Sequence, residues 1–588
     1  MRRKTLSVRV GNTVISSGQP VVVQSMLNTS TMDTEVCVNQ AIRIIEAGGQ
    51  LVRITAQGVK EAENLKNIRE ELRRRGYETP LSADIHFNPE AASVAARYVE
   101  KVRINPGNFV DKRATFQNLT YTEEEYRAEL AYLRSKFTDF LTICRQYHTA
   151  VRIGTNHGSL SDRIMSRYGN TPAGMVEATM EYLRVCRDTD FNDVVISLKS
   201  SDCRIMITAV RLLVEQMQKE GMNYPLHLGV TEAGEGEDGR IRSAVGIGCL
   251  LNEGVGDTIR VSLTEAPEAE IPVARELVAL CRPDFEAGVA WQEGKAGKPF
   301  IVADSDVLGE ADCFVGEAAP EMIFAEAGDA KWRVLPDGVT VIVPWEQWEE
   351  ARRYRAAVCP LIPADGFKKG AGCGEKGRIF VEVNREEQID ADLLAASEGR
   401  EVTFVLSPQE TDYHAYRRMI RLLGYACPVI IRVKEPVREN VHLKIAAHVG
   451  GIFMDKWADG LWITLIGEAK QALELSRNIL QSAGVRRYKT EFVSCPGCGR
   501  TLYNLEDAVA KVKRAFAHLT RLKIAIMGCI VNGPGEMGDA DYGYVGAGNG
   551  KVNLYKGKQR VKTAVPEEEA IDALKSLIAE CGDWKEPE

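Results

Sequence analysis

The chain has 588 residues, 45% of them hydrophobic and 27% charged, with a formal net charge of −8. That length exceeds one ordinary core and predicts two or three domains. The acidic balance, with no long basic run carrying interleaved aromatics, excludes a nucleic-acid binder, and no stretch reaches the roughly 18 consecutive apolar residues of a membrane span. The opening MRRKTLSVRVGN has basic residues but no apolar leader segment and no small-residue cleavage site. Most of the fourteen cysteines are scattered singly through apolar segments, as at Cys186, Cys249, Cys281 and Cys427, where small buried thiols are common. They form no secreted disulfide framework, so the expected compartment is the cytoplasm.

From residue 20 to about 283 one pattern repeats: a short apolar run ending in polar residues, then a segment of helical period. The strands are expected at 21–26, 51–55, 80–86, 101–105, 150–154, 193–199, 226–231 and 257–262. Eight such alternations predict a closed (β/α)8 TIM barrel over 1–283. Only the fourth connection, about 109 to 148, is long; its charged helical segment suits a lid or an outer decoration.

The strand endings carry the chemistry. Side chains two apart on a strand share a face, and the endings read Arg53-x-Thr55, Asp84-x-His86, Arg103-x-Asn105, Arg152-x-Gly154-x-Asn156, then Lys199, then Arg260-x-Ser262. In a barrel these ends converge on the active-site mouth. Any one cation there has a structural reading as an ion pair. Five together point to a ligand with more negative charge than one carboxylate, because guanidinium forks match phosphate oxygens. Ser262 and Asn105 add neutral donors. Asp84, His86 and Glu232 are the groups able to move protons; a carboxyl at Glu232, among apolar neighbours, would stay protonated and donate. The runs Val245-Gly-Ile-Gly-Cys and Glu253-Gly-Val-Gly-Asp are a weak phosphate-loop signal where barrels commonly bind phosphate.

After Arg282 the pattern breaks at a linker-like run. A second region, 284–488, resumes β/α alternation with six recognisable apolar strands. Its strands lack the repeated cation-x-polar endings, and it reads as a structural insert, possibly a degenerate barrel. The last hundred residues, 489–588, alternate as a small α+β domain. They hold Cys495-Pro-Gly-Cys498-Gly and, thirty residues on, Cys529-Ile-Val-Asn532-Gly-Pro-Gly-Glu536. A tight CPGCG turn points two thiolates the same way, with Gly497 and Gly499 permitting positive φ. C-x2-C alone suits a zinc ribbon as well as an iron–sulfur cluster. No second C-x2-C follows. Three soft thiolates and a displaceable carboxylate instead describe a [4Fe-4S] cubane with one replaceable corner.

On the motifs Val23-QSMLNT, Ala83-DIHFNP, Val102-RINPGN, Val151-RIGTNHGSL, Ile196-SLKSS, Leu228-GVTEAG, Gly256-DTIRVSLT, Ser494-CPGCGR and Met527-GCIVNGPGE, the chain resembles the 4-hydroxy-3-methylbut-2-enyl diphosphate synthases of the non-mevalonate isoprenoid pathway, in their long three-domain form. The resemblance implies an iron–sulfur oxidoreductase that opens the ring of 2-C-methyl-D-erythritol 2,4-cyclodiphosphate and removes a hydroxyl, with electrons from ferredoxin or flavodoxin through a [4Fe-4S] cluster. It places the ligands at Cys495, Cys498, Cys529 and Glu536, and the substrate cradle at Arg103, Arg152, Lys199, Arg260 and Ser262. Arg53, Asp84, His86, Asn105, Asn156, Glu232 and Asn532 are its further site positions. In the shorter relatives the cluster domain of a partner chain completes the site; here the insert is large enough to replace that partner, so closure over the chain's own barrel is expected. The rival readings are a barrel pterin- or corrinoid-linked transferase with an accessory cluster, and a zinc-ribbon binding module fused to a barrel.

Overall fold

A computed structural model of the chain describes residues 1–111, 120–286, 291, 293–309, 319–326, 335, 338–354, 357–424, 427–501, 503–530, 533–548 and 550–587. The chain divides into two compact units, Met1–Ala287 with Lys489–Glu588, and Gly288–Tyr488.

In the first unit eight parallel strands alternate with helices. Val22–Met26, Leu51–Ala56, Leu81–Ile85, Lys101–Ile104, Ala150–Asn156 and Val194–Lys199 pair in succession. Two-residue strands, His227–Leu228 and Thr258–Ile259, finish the ring, and a single bridge from Ile196 to Leu226 closes it. Helices begin where a short polar side chain stands one residue ahead. Asp33, Asn88, Ser161, Thr171 and Asp202 each accept a hydrogen bond from a backbone N–H of their helix's first turn. A hairpin of Val8–Val10 and Thr13–Ile15 buries Val8, Val10 and Ile15 against Val22, Leu51, Ala150 and Val195. Its strands are too short for a periodicity argument to find. The long fourth connection is an outer decoration rather than a lid: helix Glu123–Tyr147 buries Phe137 against Tyr182 of helix Pro172–Asp188, with ring centroids 4.8 Å apart.

The same unit contains a five-stranded sheet. Glu491–Ser494, Lys523–Met527 and Tyr542–Gly548 run parallel, and Lys551–Lys556 and Gln559–Pro566 complete it as an antiparallel meander. Helices Leu505–Phe516 and Ala570–Glu580 cover one face through Val509, Val512, Phe516, Leu574 and Ile578.

The second unit is a closed barrel of eight parallel strands, Phe300–Asp304, Met322–Phe324, Thr340–Pro344, Val358–Pro363, Ile379–Val383, Val402–Leu406, Val429–Glu435 and Gly460–Leu465. It is complete, not degenerate. The two strands missing from the sequence reading are a three-residue segment and one carrying Pro360 and Pro363, which argue against a central strand. Each strand contributes one side chain to a packed interior: Val302, Met322, Ile342, Leu361, Phe380, Val405, Ile430 and Trp462. Several polar groups toward the strand ends pair with one another. Arg432 lies 3.5 Å from the Trp462 ring centroid and donates to Glu382 at 2.8 Å, and Trp462 Nε1 donates to Asp304 at 3.0 Å.

Candidate active site

Strand register assembles the mouth of the first barrel. Asp84 stands opposite Arg103, and Arg103 opposite Arg152, so three charged side chains form one row across adjacent strands. Met26 stands opposite Arg53, and Asn156 opposite Lys199. Gly154 makes the row possible: a Cβ there would lie 2.6 Å from Arg103 Nε and 3.0 Å from Arg152 Nη1.

The C-terminal domain roofs this mouth from the same chain. Thr264, beyond the eighth strand, holds Ser494 Oγ at 2.8 Å and donates to the Cys495 carbonyl at 3.2 Å. Lys489 pairs with Asp238 at 2.7 Å and Lys513 with Glu235 at 3.0 Å. Gly158 and Gly535 touch backbone to backbone; a Cβ on Gly158 would lie 2.0 Å from the Gly535 carbonyl oxygen, so neither position admits a side chain. That contact delivers Glu536 to Asn156, whose Nδ2 donates to Glu536 Oε1 at 2.6 Å. Gly497 takes the positive φ of +74° expected in the CPGCG turn, whereas Gly499 is needed for a close approach to the Thr29 carbonyl.

The cavity between barrel mouth and roof is about 90 Å³. Arg53, Asp84, His86, Arg103, Arg152, Asn156, Lys199, Glu232, Arg260 and Ser262 reach it from the barrel, and Cys495, Cys498, Cys529 and Glu536 from the roof. Asn105 does not line it; its Oδ1 accepts from Gly107 N at 3.1 Å, because the residue turns the chain rather than facing the mouth. Asn532 lies outside the described residues. The glycine-rich runs at 245–249 and 253–257 hold no part of the cavity. Gly246 and Gly248 are buried inside helix Gly236–Asn252, and Gly256 lies against Leu228 and Leu251.

The five barrel cations are not equivalent. Arg260 makes a bidentate pair with buried Glu270, both bonds 2.9 Å. Arg103 donates to Asp84 at 3.1 Å, His86 Nε2 at 2.6 Å, the Gly154 carbonyl at 2.8 Å and Asn156 Oδ1 at 3.2 Å. Arg53 rests on the Met26 thioether at 2.7 Å. Arg152 donates only to Ser197, at 2.5 Å, and its Nε and Nη2 are buried with no partner; Arg103 Nε and His86 Nδ1 are likewise unpartnered. Buried donors of this kind are costly unless an acceptor meets them. Crowding shows in the titration behaviour. Burial lowers Arg53 to about 10 with help from Arg260 and Arg103, and burial with Arg53 and Arg103 lowers Arg152 strongly. Burial alone would raise the Asp84 carboxyl, yet Arg53 and Arg103 hold it well below the usual carboxylate range.

His86 is pulled down to about 3, first by burial and then by Arg103. Its folded value lies below the ordinary value of about 6.5, so its contribution to stability is complete above about pH 6.5 and is lost as pH falls towards 3. Each unit of fall in that window costs up to about 1.4 kcal/mol. His86→Gln is expected to flatten the acid limb of a melting-temperature profile between pH 6 and 4; an unchanged slope refutes the assignment.

Glu232 is 3% exposed and adopts φ +50°, a left-handed conformation rare for a non-glycine residue. Burial, and then the neighbouring Glu536 carboxylate, raises its pKa well above the ordinary range, and its Oε2 has no partner. On the roof, Gly528 N donates to Cys495 Sγ at 3.1 Å, and burial pushes that thiol up to about 12. A hydrogen bond from Cys529, followed by the charge of Arg500, holds Cys498 well below the usual thiol range. Among the described residues no three His, Cys, Asp or Glu side chains converge on a single point as ligands of one ion would. Two of the four donors share the CPGCG turn and the other two follow the strand Lys523–Met527; all four line the cavity, and three soft thiols with one carboxylate fit a multi-iron group in chemistry. Sequence reasoning missed Arg500, Glu270 and Met26. Arg500 directly follows the CPGCG turn and was within reach of the motif; Glu270, ten residues beyond Arg260 on the next helix, carried no signal.

Fold and site together define an α/β-barrel protein whose cationic mouth is capped by a cysteine-bearing domain. The GcpE TIM-barrel domain matches residues 5–275 and the GcpE protein C-terminal domain matches 491–580. Over 99% of its length the chain is 48% identical to the 4-hydroxy-3-methylbut-2-en-1-yl diphosphate synthase (flavodoxin) of Parabacteroides distasonis, covering 98% of that protein. Proteins of the same description from Akkermansia muciniphila and Protochlamydia amoebophila are 41% and 38% identical over the whole chain, with 98% and 97% of each covered. The chain belongs to the GcpE family. Among the described residues no helix is long and apolar enough to cross a membrane.

Proposed function

We propose that this chain is an iron–sulfur oxidoreductase that converts 2-C-methyl-D-erythritol 2,4-cyclodiphosphate to 4-hydroxy-3-methylbut-2-enyl diphosphate, with electrons from a flavodoxin-type carrier. The observation that carries this reading is the juxtaposition in one cavity of unpartnered guanidinium donors on Arg103 and Arg152 with Cys495, Cys498, Cys529 and Glu536. The full-length relatives named as flavodoxin-dependent synthases support it. The described cysteines form no disulfide, as suits a reducing cytoplasm.

Cys495, Cys498, Cys529 and Glu536 would hold a [4Fe-4S] cluster, which when bound would supply electrons one at a time beside the substrate. The reaction consumes two electrons and two protons. One ring carbon–oxygen bond breaks with the diphosphate as leaving group, and a hydroxyl departs as water. Arg152, Arg103 and Lys199 bind and neutralise the diphosphate as its ring charge is released. Ser262 adds a neutral hydrogen bond, Arg53 completes the positive field, and Arg260, neutralised by Glu270, shapes the wall beside it. Asp84 orients Arg103 and His86. Asn156 holds Glu536 in place, and that carboxylate would be the one hard ligand beside three soft thiols. Glu232 carries a proton at the cavity wall and gives it to the departing hydroxyl. The insert barrel, none of whose described residues lines the cavity, is a structural spacer.

The test is anaerobic turnover of the cyclic diphosphate by the reconstituted full chain with reduced flavodoxin, beside Glu232→Gln. Wild type should form the allylic diphosphate and the variant should bind substrate but turn over about 10²–10⁴-fold more slowly. Iron-free wild type, or wild type that turns over a pterin substrate instead, refutes the reading.

A further inference from the structure

Of the cations that line the cavity, Arg500 alone comes from the roof. Its Nε donates to Cys498 Sγ at 3.2 Å. The barrel arginines have other partners: Arg260 has Glu270, Arg103 has Asp84, Arg53 has the Met26 thioether and Arg152 has Ser197. Arg500 therefore brings both a fixed positive charge and an N–H bond to a cysteine sulfur, while its field also reaches Asp84 and His86 across the mouth. Charge and hydrogen bonding at the sulfurs are the levers by which a protein sets an iron–sulfur potential. Both favour the more negative, reduced state.

We propose that Arg500 is a positioning residue that raises the reduction potential of the metal centre through Cys498. The inference rests on the reading that Cys498 is a cluster ligand. It makes the guanidinium part of the electron-accepting apparatus, distinct in task from the barrel arginines that face the diphosphate. Lysine is no equivalent, because it keeps the charge but loses the rigid planar donor.

The experiment is a reductive titration of the reconstituted full chain, followed by electron paramagnetic resonance without substrate, for wild type, Arg500→Lys and Arg500→Gln. Iron and sulfide contents are measured in parallel. Arg500→Gln should be at least tenfold harder to reduce, a shift of about 59 mV for one electron, with Arg500→Lys in between. Wild-type potential in Arg500→Gln at full iron content overturns the proposal. If the glutamine variant fails to hold iron, the lysine variant decides: a lower potential supports the proposal and an unchanged one overturns it. Absence of any cluster signal from wild type would be a failure of the functional reading, visible before a variant is compared.

Discussion

The Cys529→Ser protein is expected to retain little iron, to lose its visible absorption and to show no measurable turnover, while still binding the cyclic diphosphate. The serine hydroxyl is a hard, weakly acidic donor where a soft thiolate is needed, and the remaining donors come from the CPGCG turn and Glu536 alone. The loss should exceed the roughly 10–100-fold that changes outside the ligand set cost. Substrate affinity should survive, since Arg103, Arg152 and Lys199 stand on barrel strands and none of their side-chain hydrogen bonds goes to Cys529. Iron analysis, an absorption spectrum and calorimetric titration with substrate check it. A Cys529→Ser protein with wild-type iron content and colour would remove Cys529 from the ligand set.

Arg103→Ala and Arg152→Ala should behave differently. Sequence pattern treats them alike, since both end a strand in the same way. In the fold, Arg103 holds Asp84, His86 and Asn156 together, so removing it strands a buried carboxylate. Breaking a buried pair from one side costs about 3–5 kcal/mol, and the variant should melt markedly lower as well as bind poorly. Arg152 has one side-chain partner and two buried, unpartnered donors. Its removal should leave the melting temperature near wild type while substrate affinity falls by about 1.5–3 kcal/mol, roughly tenfold to a hundredfold. Arg260, bound on both sides of its fork by Glu270, belongs with Arg103. Asp84→Asn in the Arg103→Ala background should recover part of the lost stability. Thermal melts and substrate titrations giving equal profiles for Arg103 and Arg152 would show that the distinction is false.

Much of this was legible from residue spacing. Period-two strand endings located Arg53, Asp84, Arg103, Arg152 and Lys199 on one barrel mouth, because alternation and the convergence of strand ends are properties of any such barrel. The cysteine spacing located three donors and a carboxylate. What escaped was set by contacts that no local pattern encodes. Arg260 looks in sequence like another free cation, and only the position of Glu270 on the following helix neutralises it. Asn105 has the spacing of a mouth residue, but its side chain turns back to Gly107. The glycines at 246, 248 and 256 serve packing and turns, although their pattern imitates a phosphate loop. In the insert, a three-residue strand and a proline-containing one fall below what apolar periodicity resolves, so a complete barrel read as a partial one.

The first unit is built from two stretches of chain separated by about two hundred residues, Gly288–Tyr488. At ribosomal speeds of about 5–20 residues per second, the barrel emerges roughly 10–40 s before the CPGCG turn is made. During that interval the nascent protein presents the uncapped, cation-lined barrel mouth without Cys495, Cys498 and Cys529. Any metal centre built on Cys495, Cys498, Cys529 and Glu536 therefore has to wait for the last stretch of the chain to be made. A truncated product arrested within the insert would be able to sequester phosphorylated metabolites without being able to reduce them.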